Sequence, residues 1–172
     1  VDLLSRHRKA LERGARWIIK TRLGRLGGQG VHHGLLPSGL SAEHFGPNDH
    51  YFWDNYWSLA GLKSWFSEAK HQMSSSEVQR WEEDINLYMG DVMRSMEEAM
   101  SRTGNVGLPC APTRSMDSAA IGNLVAVHPL GLFDEDSGWV KNTVDHLYDN
   151  QLLHGLFYQE IIHTGLNCYL TI

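Results

Sequence analysis

The stretch Pro47-Asn48-Asp49-His50-Tyr51-Phe52-Trp53-Asp54-Asn55-Tyr56-Trp57-Ser58-Leu59-Ala60-Gly61-Leu62-Lys63-Ser64-Trp65 sets the architecture. Trp53, Tyr56, Trp57, Ala60, Leu62 and Trp65 make it apolar nearly all round, which predicts a buried helix over Tyr51 to Ala69. A loop from about Leu23 to Asp49 precedes it, rich in Gly, His, Pro and Ser and longer than most loops of compact domains. Before that loop, Leu4, Leu11, Ala15 and Ile18 recur at helical spacing over Asp2 to Arg22, with Arg and Lys on the opposite face. The local order is therefore amphipathic helix, long loop, buried helix.

The same order returns further along. Ser74 and Glu77 fit a capping box that starts a helix running to about Arg102, with Val78, Trp81, Ile85, Tyr88, Val92, Met96 and Met100 as its stripe. A Gly/Pro-rich loop over Gly104 to Arg114 leads to an apolar helix over Met116 to Val127, stopped by Pro129 and Gly131. A third amphipathic helix covers Ser137 to Gln151, followed by a loop to about Thr164 and an apolar segment, Gly165 to Ile172. The loops echo one another as Gly34-Leu35-Leu36-Pro37, Gly107-Leu108-Pro109 and Gly155-Leu156-Phe157. Repeated hairpins bury each unit against the next. The expected fold class is all-α: one partial domain of consecutive helical hairpins, about 1–69, 74–128 and 137–172, curving into a toroid whose long loops open on one end.

Composition narrows the partners. Lys plus Arg is 15 against 20 Asp plus Glu, a net charge of −5, which disfavours a nucleic-acid surface. No apolar run approaches the ~18 residues of a membrane span. Cys110 and Cys168 form no CxxC pair, so a reducing, cytoplasmic setting is the expectation for a soluble protein. Walker, G-x-G-x-x-G and G-x-S-x-G strings are missing, and no cofactor is expected.

The chemistry concentrates in the loops. Glu43, Asp49 and Asp54 lie among aromatics at the start of the second helix. Sugars need this mixture, because aromatic faces stack on the C–H side of the ring while carboxylates accept hydrogen bonds from hydroxyls. Asp49 equally fits a helix N-cap, and Asp54 a first-turn acid favoured by the macrodipole. Asp117 in the second loop reads as a site acid or as an ordinary cap. Glu160 stands among Ile, Tyr and Phe, where desolvation would raise its pKa toward general-acid use, or it is a structural surface Glu. His163 and Asn167 complete the third loop as candidate sugar ligands. Metal is the rival chemistry, since His32, His33, His44, His50, His154 and His163 fall in the first and third loops and Glu160-x-x-His163 resembles half of a di-iron set. A second Glu-x-x-His is missing, so these histidines are read as hydrogen-bonding sugar hydroxyls or loops, with no metal.

Pro37-Ser38-Gly39, Glu43 and Tyr51-Phe52-Trp53-Asp54-Asn55-Tyr56 resemble the trehalase pattern of Pro-Gly-Gly, Glu and Tyr-x-Trp-Asp-x-Tyr. Leu40 stands where trehalases continue with Arg, and the Glu-Ser-Gly-Trp-Asp string is missing, so the wider six-hairpin glycosidases fit better than trehalase itself. These are the glucoamylases, trehalases, processing α-glucosidases and related disaccharide phosphorylases. The resemblance implies an (α/α)6 toroid and hydrolysis of α-linked glucosides or oligosaccharides. It places Trp53 and Asp54 in the sugar subsite at the point of cleavage. Such hydrolysis uses two carboxylates, roughly 6.5–9.5 Å apart when the course is inverting. Glu160 and Asp117 are the catalytic candidates, and Glu43, Asp49, Trp53, Asp54, His163 and Asn167 the binding ones. The alternative is a non-catalytic carbohydrate-binding or helical-repeat interaction domain. Three hairpins in 172 residues, about 57 each, amount to half of a six-hairpin ring. The remainder of a longer chain, or a second copy, is expected to complete it.

Overall fold

The computed structural model describes residues 3–24, 28–40, 48–159, 161–162 and 170. They are mostly helical: α1 (Leu3–Arg22), α2 (Phe52–Ala69), α3 (Ser75–Arg102) and α4 (Gly138–Asn150), with a 3-10 helix over Ser118–Ala126. Strands β1 (Leu152–Leu153), β2 (Leu156–Gln159) and β3 (Ile161–Ile162) form an antiparallel ribbon.

Helix α3 begins where its capping box predicts. The Ser74 hydroxyl accepts from Glu77 N, and the Glu77 carboxylate accepts from Ser74 N at 2.9 Å. Its buried stripe is Trp81, Ile85, Tyr88, Val92, Ser95, Met96 and Ala99. This stripe meets Phe52, Tyr56, Leu59, Leu62, Trp65 and Ala69 of α2 in the main core, with Ala15 of α1 and Leu35, Leu108, Val125 and Ala126 added from loops and the 3-10 helix. Trp65 and Trp81 meet edge to face at 4.5 Å. Each such side chain contributes about 1.5–3 kcal/mol by leaving water.

Four expectations change. Helix α2 is buried along one face only: Trp57 is 44% exposed, and Lys63, Ser64, Ser67 and Glu68 face solvent. Leu11 of α1, placed on the apolar stripe, is 41% exposed, and the buried end of that stripe is Ala15 and Arg22. The apolar segment after the second loop is a 3-10 helix, not an α-helix, although Ala119 to Ala126 are all buried as its composition requires. The tighter winding rises about 2.0 Å per residue instead of 1.5, so the same residues reach further between α2 and α4. The loop expected from about Leu153 is, over its described part, the ribbon. His154 and Gly155 both take positive φ (51° and 79°) between the paired Leu153 and Leu156, which is the geometry of a two-residue hairpin turn.

The loop echo has a structural counterpart. Gly34, Gly107 and Gly155 all have positive φ, and Leu35 and Leu108 directly after the first two are fully buried, whereas Leu156 after Gly155 is 37% exposed and the buried residue there is Phe157, one further on. Two hairpins share a further device. Asn55, fully buried near the start of α2, accepts from Leu36 N at 2.9 Å. Asn123, in the 3-10 helix, donates to the carbonyls of Leu108 and Pro109 at 2.8 and 3.0 Å. In each case a buried amide ties the Gly-Leu turn of the preceding loop to the helix that follows it.

Candidate functional site at the head of helix α2

The first loop is held from below by charge. Arg22 is 1% exposed, and its Nη1 donates to Gly34 O at 3.0 Å and to Asp91 Oδ2 of α3 at 2.8 Å. Its guanidinium lies over the Tyr88 ring, 4.6 Å from the centroid. A buried charge needs such partners, because desolvation otherwise costs several kcal/mol. Gly34 sits at φ +79°, and a Cβ there would run into the Asp91 carboxylate. Arg94 donates to Asp91 at 3.2 Å and to His33 O at 2.7 Å, so Asp91 gathers two guanidinium groups under one turn of loop.

Above this base the loop is joined to α2. Asn55 Oδ1 accepts from the Tyr88 hydroxyl at 2.8 Å as well as from Leu36 N, and its Nδ2 donates to Tyr51 O at 2.8 Å. Gly39 and Asp49 pair through two backbone hydrogen bonds of 3.0 Å. Phe52 N, a free donor at the helix start, donates to Cys110 O of the second loop at 3.0 Å.

Asp49 then links the two loops by its side chain. Its Oδ1 accepts from His50 N at 2.8 Å, and its Oδ2 accepts from Arg114 Nε at 2.8 Å. The hydrogen bond to Asp49 holds the Arg114 pKa above its usual value, and the guanidinium stands over Tyr51, 5.6 Å from the ring centroid. Arg102 of α3 fixes this part of the second loop through the carbonyls of Pro112 and Arg114. Asp117 stands three residues on. The charges of Asp49 and Asp117 both bear on Tyr51 and Cys110, whose pKa values are raised primarily by burial, that of the Cys110 thiol to about 12.

Asp54 occupies the first turn of α2, and burial alone pushes its carboxyl up to about 6. Such a group holds or gives up a proton near neutral pH. Trp53 beside it is half-buried and meets the exposed Trp57 edge to face at 5.7 Å. Together they offer an aromatic surface next to a carboxyl that titrates near neutrality.

The structure therefore brings Asp49, Trp53, Asp54 and Asp117 to the N-terminal end of α2. Asp49 does not cap that helix. Tyr51 is the N-cap and makes no side-chain cap bond, and the Asp49 carboxylate is turned toward Arg114. Asp117 does act as a cap, its Oδ1 accepting from Ala119 N at 2.9 Å at the start of the 3-10 helix. Glu43, Glu160, His163 and Asn167 lie outside the described residues, as does His44. Sequence reasoning missed Arg114 as the link between loops and Asn55 as the anchor of the first loop. A spacing signal was present: Asp49 and Asn55 stand six apart, as do Asp117 and Asn123.

Among the described residues, no group of three His, Cys, Asp or Glu side chains is placed to hold a metal ion. Concave surfaces elsewhere, such as one of about 430 Å³ lined by Glu135, Asp136, Val140, Lys141, Val144 and Asp145, do not touch this group. Compared with known protein families, curated proteins and solved structures, the chain shows no match to any of them.

Proposed function

We propose that this chain is part of a carbohydrate-active domain built from helical hairpins, acting on α-linked glucosides or oligosaccharides by two-carboxylate acid–base hydrolysis with inversion. The observation that carries the reading is the half-buried Trp53–Asp54 pair at the head of α2, with the Asp54 carboxyl raised to about 6. An aromatic surface that stacks on a sugar ring and a carboxylate that accepts hydrogen bonds from hydroxyls are the mixture a sugar subsite uses. The tying of two successive loops over that helix end, through Asp49 and Arg114, supports a repeating hairpin arrangement of toroidal type. In this reading Trp53 stacks on the sugar ring, and Asp54 and Asp49 accept hydrogen bonds from hydroxyls. Glu43, His163 and Asn167 join them, and Glu160 and Asp117 form the acid–base pair. A further segment of chain or a second copy completes the ring.

A second reading, non-catalytic sugar binding, draws on a specific observation. Asp117 commits Oδ1 to Ala119 N, and Asp49 commits both oxygens, Oδ1 to His50 N and Oδ2 to Arg114. Two measurements separate the readings. Titration of Trp fluorescence with maltose, trehalose and glucose should shift or quench the signal in both, and lose that response in Asp54→Ala. Hydrolysis of nitrophenyl α-glucosides should appear only in the catalytic reading and fall by orders of magnitude in Glu160→Gln or Asp117→Asn. No response to any sugar defeats both.

A further inference from the structure

The first loop carries a pair of histidines, His32 and His50, to which the proposed sugar site assigns no role. The rings of His32 and His50 are stacked, with centroids 4.4 Å apart and planes inclined by 24°. His32 belongs to the 3-10 turn Gly30–His32, and His50 to the segment entering α2, so the stack closes the loop onto the head of the helix. Its protons can be assigned. His50 Nδ1 lies 2.7 Å from Leu36 O, and a carbonyl only accepts, so Nδ1 carries the hydrogen. His32 is hydrogen-bonded to the Gln29 backbone, while its Nε2 is buried with no partner. Gly28 packs so closely against the His32 main chain and Cβ that any Cβ at Gly28 would strike them, which fixes the turn that carries the ring.

We propose that the His32–His50 stack is an acid-released clasp, closed while His32 is neutral and opened when His32 takes a second proton, which loosens residues 28–33 from the head of α2. That proton would sit on Nε2, where no acceptor waits, on a ring stacked against a second imidazole. The surrounding charges have been assigned other partners. Asp49 is the one acid acting on His32 in the opposite sense, and it is paired with Arg114. On the α3 side Asp91 is shared by Arg22, Arg94 and the His33 ring, and on the α1 side Arg22 is paired with Asp91. Burial is the largest influence on His32, with the His50 charge next, and both lower its pKa from 6.5. A lowered folded-state pKa means that the clasp is fully stable above pH 6.5, weakens as the pH falls below that value, and levels off below the folded pKa.

The test is hydrogen exchange of the full chain at pH 7.5 and 5.0, corrected for the intrinsic pH dependence of exchange. Protection over residues 28–33 should fall severalfold in the wild type, with α3 unchanged. His32→Phe keeps a stacking ring without the titration and should hold its protection at both pH values. An equal fall in His32→Phe, or no fall in the wild type, overturns the clasp. If that variant does not fold, an NMR titration of the wild type decides. The His32 Cε1–H should titrate below 6.5, with the His32 and His33 amides, which donate to Gln29 O and Gly30 O, following the same midpoint. A midpoint at or above 6.5, or amides that do not follow it, overturns the proposal.

Discussion

The two ends of α2 are built from different chemistry. Its C-terminal half buries Leu59, Leu62, Trp65 and Ala69 against α1 and α3, with the Trp65–Trp81 contact at the far end. Its N-terminal turn is surrounded by Asp49, His50, Asp54, Asn55, Tyr88 and Arg114. The first arrangement stabilises through area removed from water and is indifferent to pH. The second is directional: each bond fixes one loop atom, and several groups titrate. A helix anchored at one end can hold an expensive polar constellation at the other, because the apolar half supplies the stability that buried Asp and Arg do not.

Four substitutions probe this contrast. Trp81→Ala, at the apolar end, should cost about 3–5 kcal/mol in urea unfolding, with the same loss at pH 5 and pH 8. Asn55→Ala comes next, at about 3 kcal/mol, because it removes three interior hydrogen bonds at once, those from Leu36 N and the Tyr88 hydroxyl and that to Tyr51 O. Its loss should be accompanied by faster amide exchange in residues 34–39, which Trp81→Ala should affect no more than the rest of the chain. Asp49→Asn keeps the shape but weakens the bond to Arg114, and about 1 kcal/mol should be lost by thermal unfolding. Asp54→Asn is the smallest and changes with pH. A carboxyl raised from 3.8 to about 6 favours folding fully below pH 3.8, and this advantage is lost as the pH rises through about 6. Because Asn imitates the neutral acid, the variant should match the wild-type melting temperature at pH 4 and exceed it slightly at pH 8. A deficit at pH 8 would mean that the Asp54 carboxylate has a cation partner.

Periodicity made the apolar end legible. Trp81, Ile85, Tyr88, Val92 and Met96 recur at helical spacing, and Ser74 with Glu77 marked where α3 begins. The polar end was legible as composition but not as connection. Asp49 could be picked out as an acid among aromatics, yet no local pattern says that its partner is Arg114, 65 residues away. Arg22 illustrates the same limit. At the last turn of an amphipathic helix it reads as a cation facing solvent, and it is buried because Asp91 and Gly34 O meet it there. The ribbon was hidden because His-Gly is a weaker turn signature than Asn-Gly, although both residues do take positive φ. The 3-10 helix was hidden because its apolar composition suits an α-helix equally well.

That 3-10 helix has a consequence for how the chain tolerates length changes. At three residues per turn, side chains fall into columns rather than a drifting stripe. Ile121 and Leu124, three apart, belong with α4 and β2, while Val125 and Ala126 belong with α2 and α3. Asn123 is committed to the second loop. Inserting or deleting one residue after Asp117 would turn everything downstream by a third of a revolution, carrying Asn123 away from its carbonyls and moving each apolar column onto its neighbour's partner. The segment is therefore length-locked: substitutions among small apolar residues leave its wiring intact, and a single-codon insertion rewrites it.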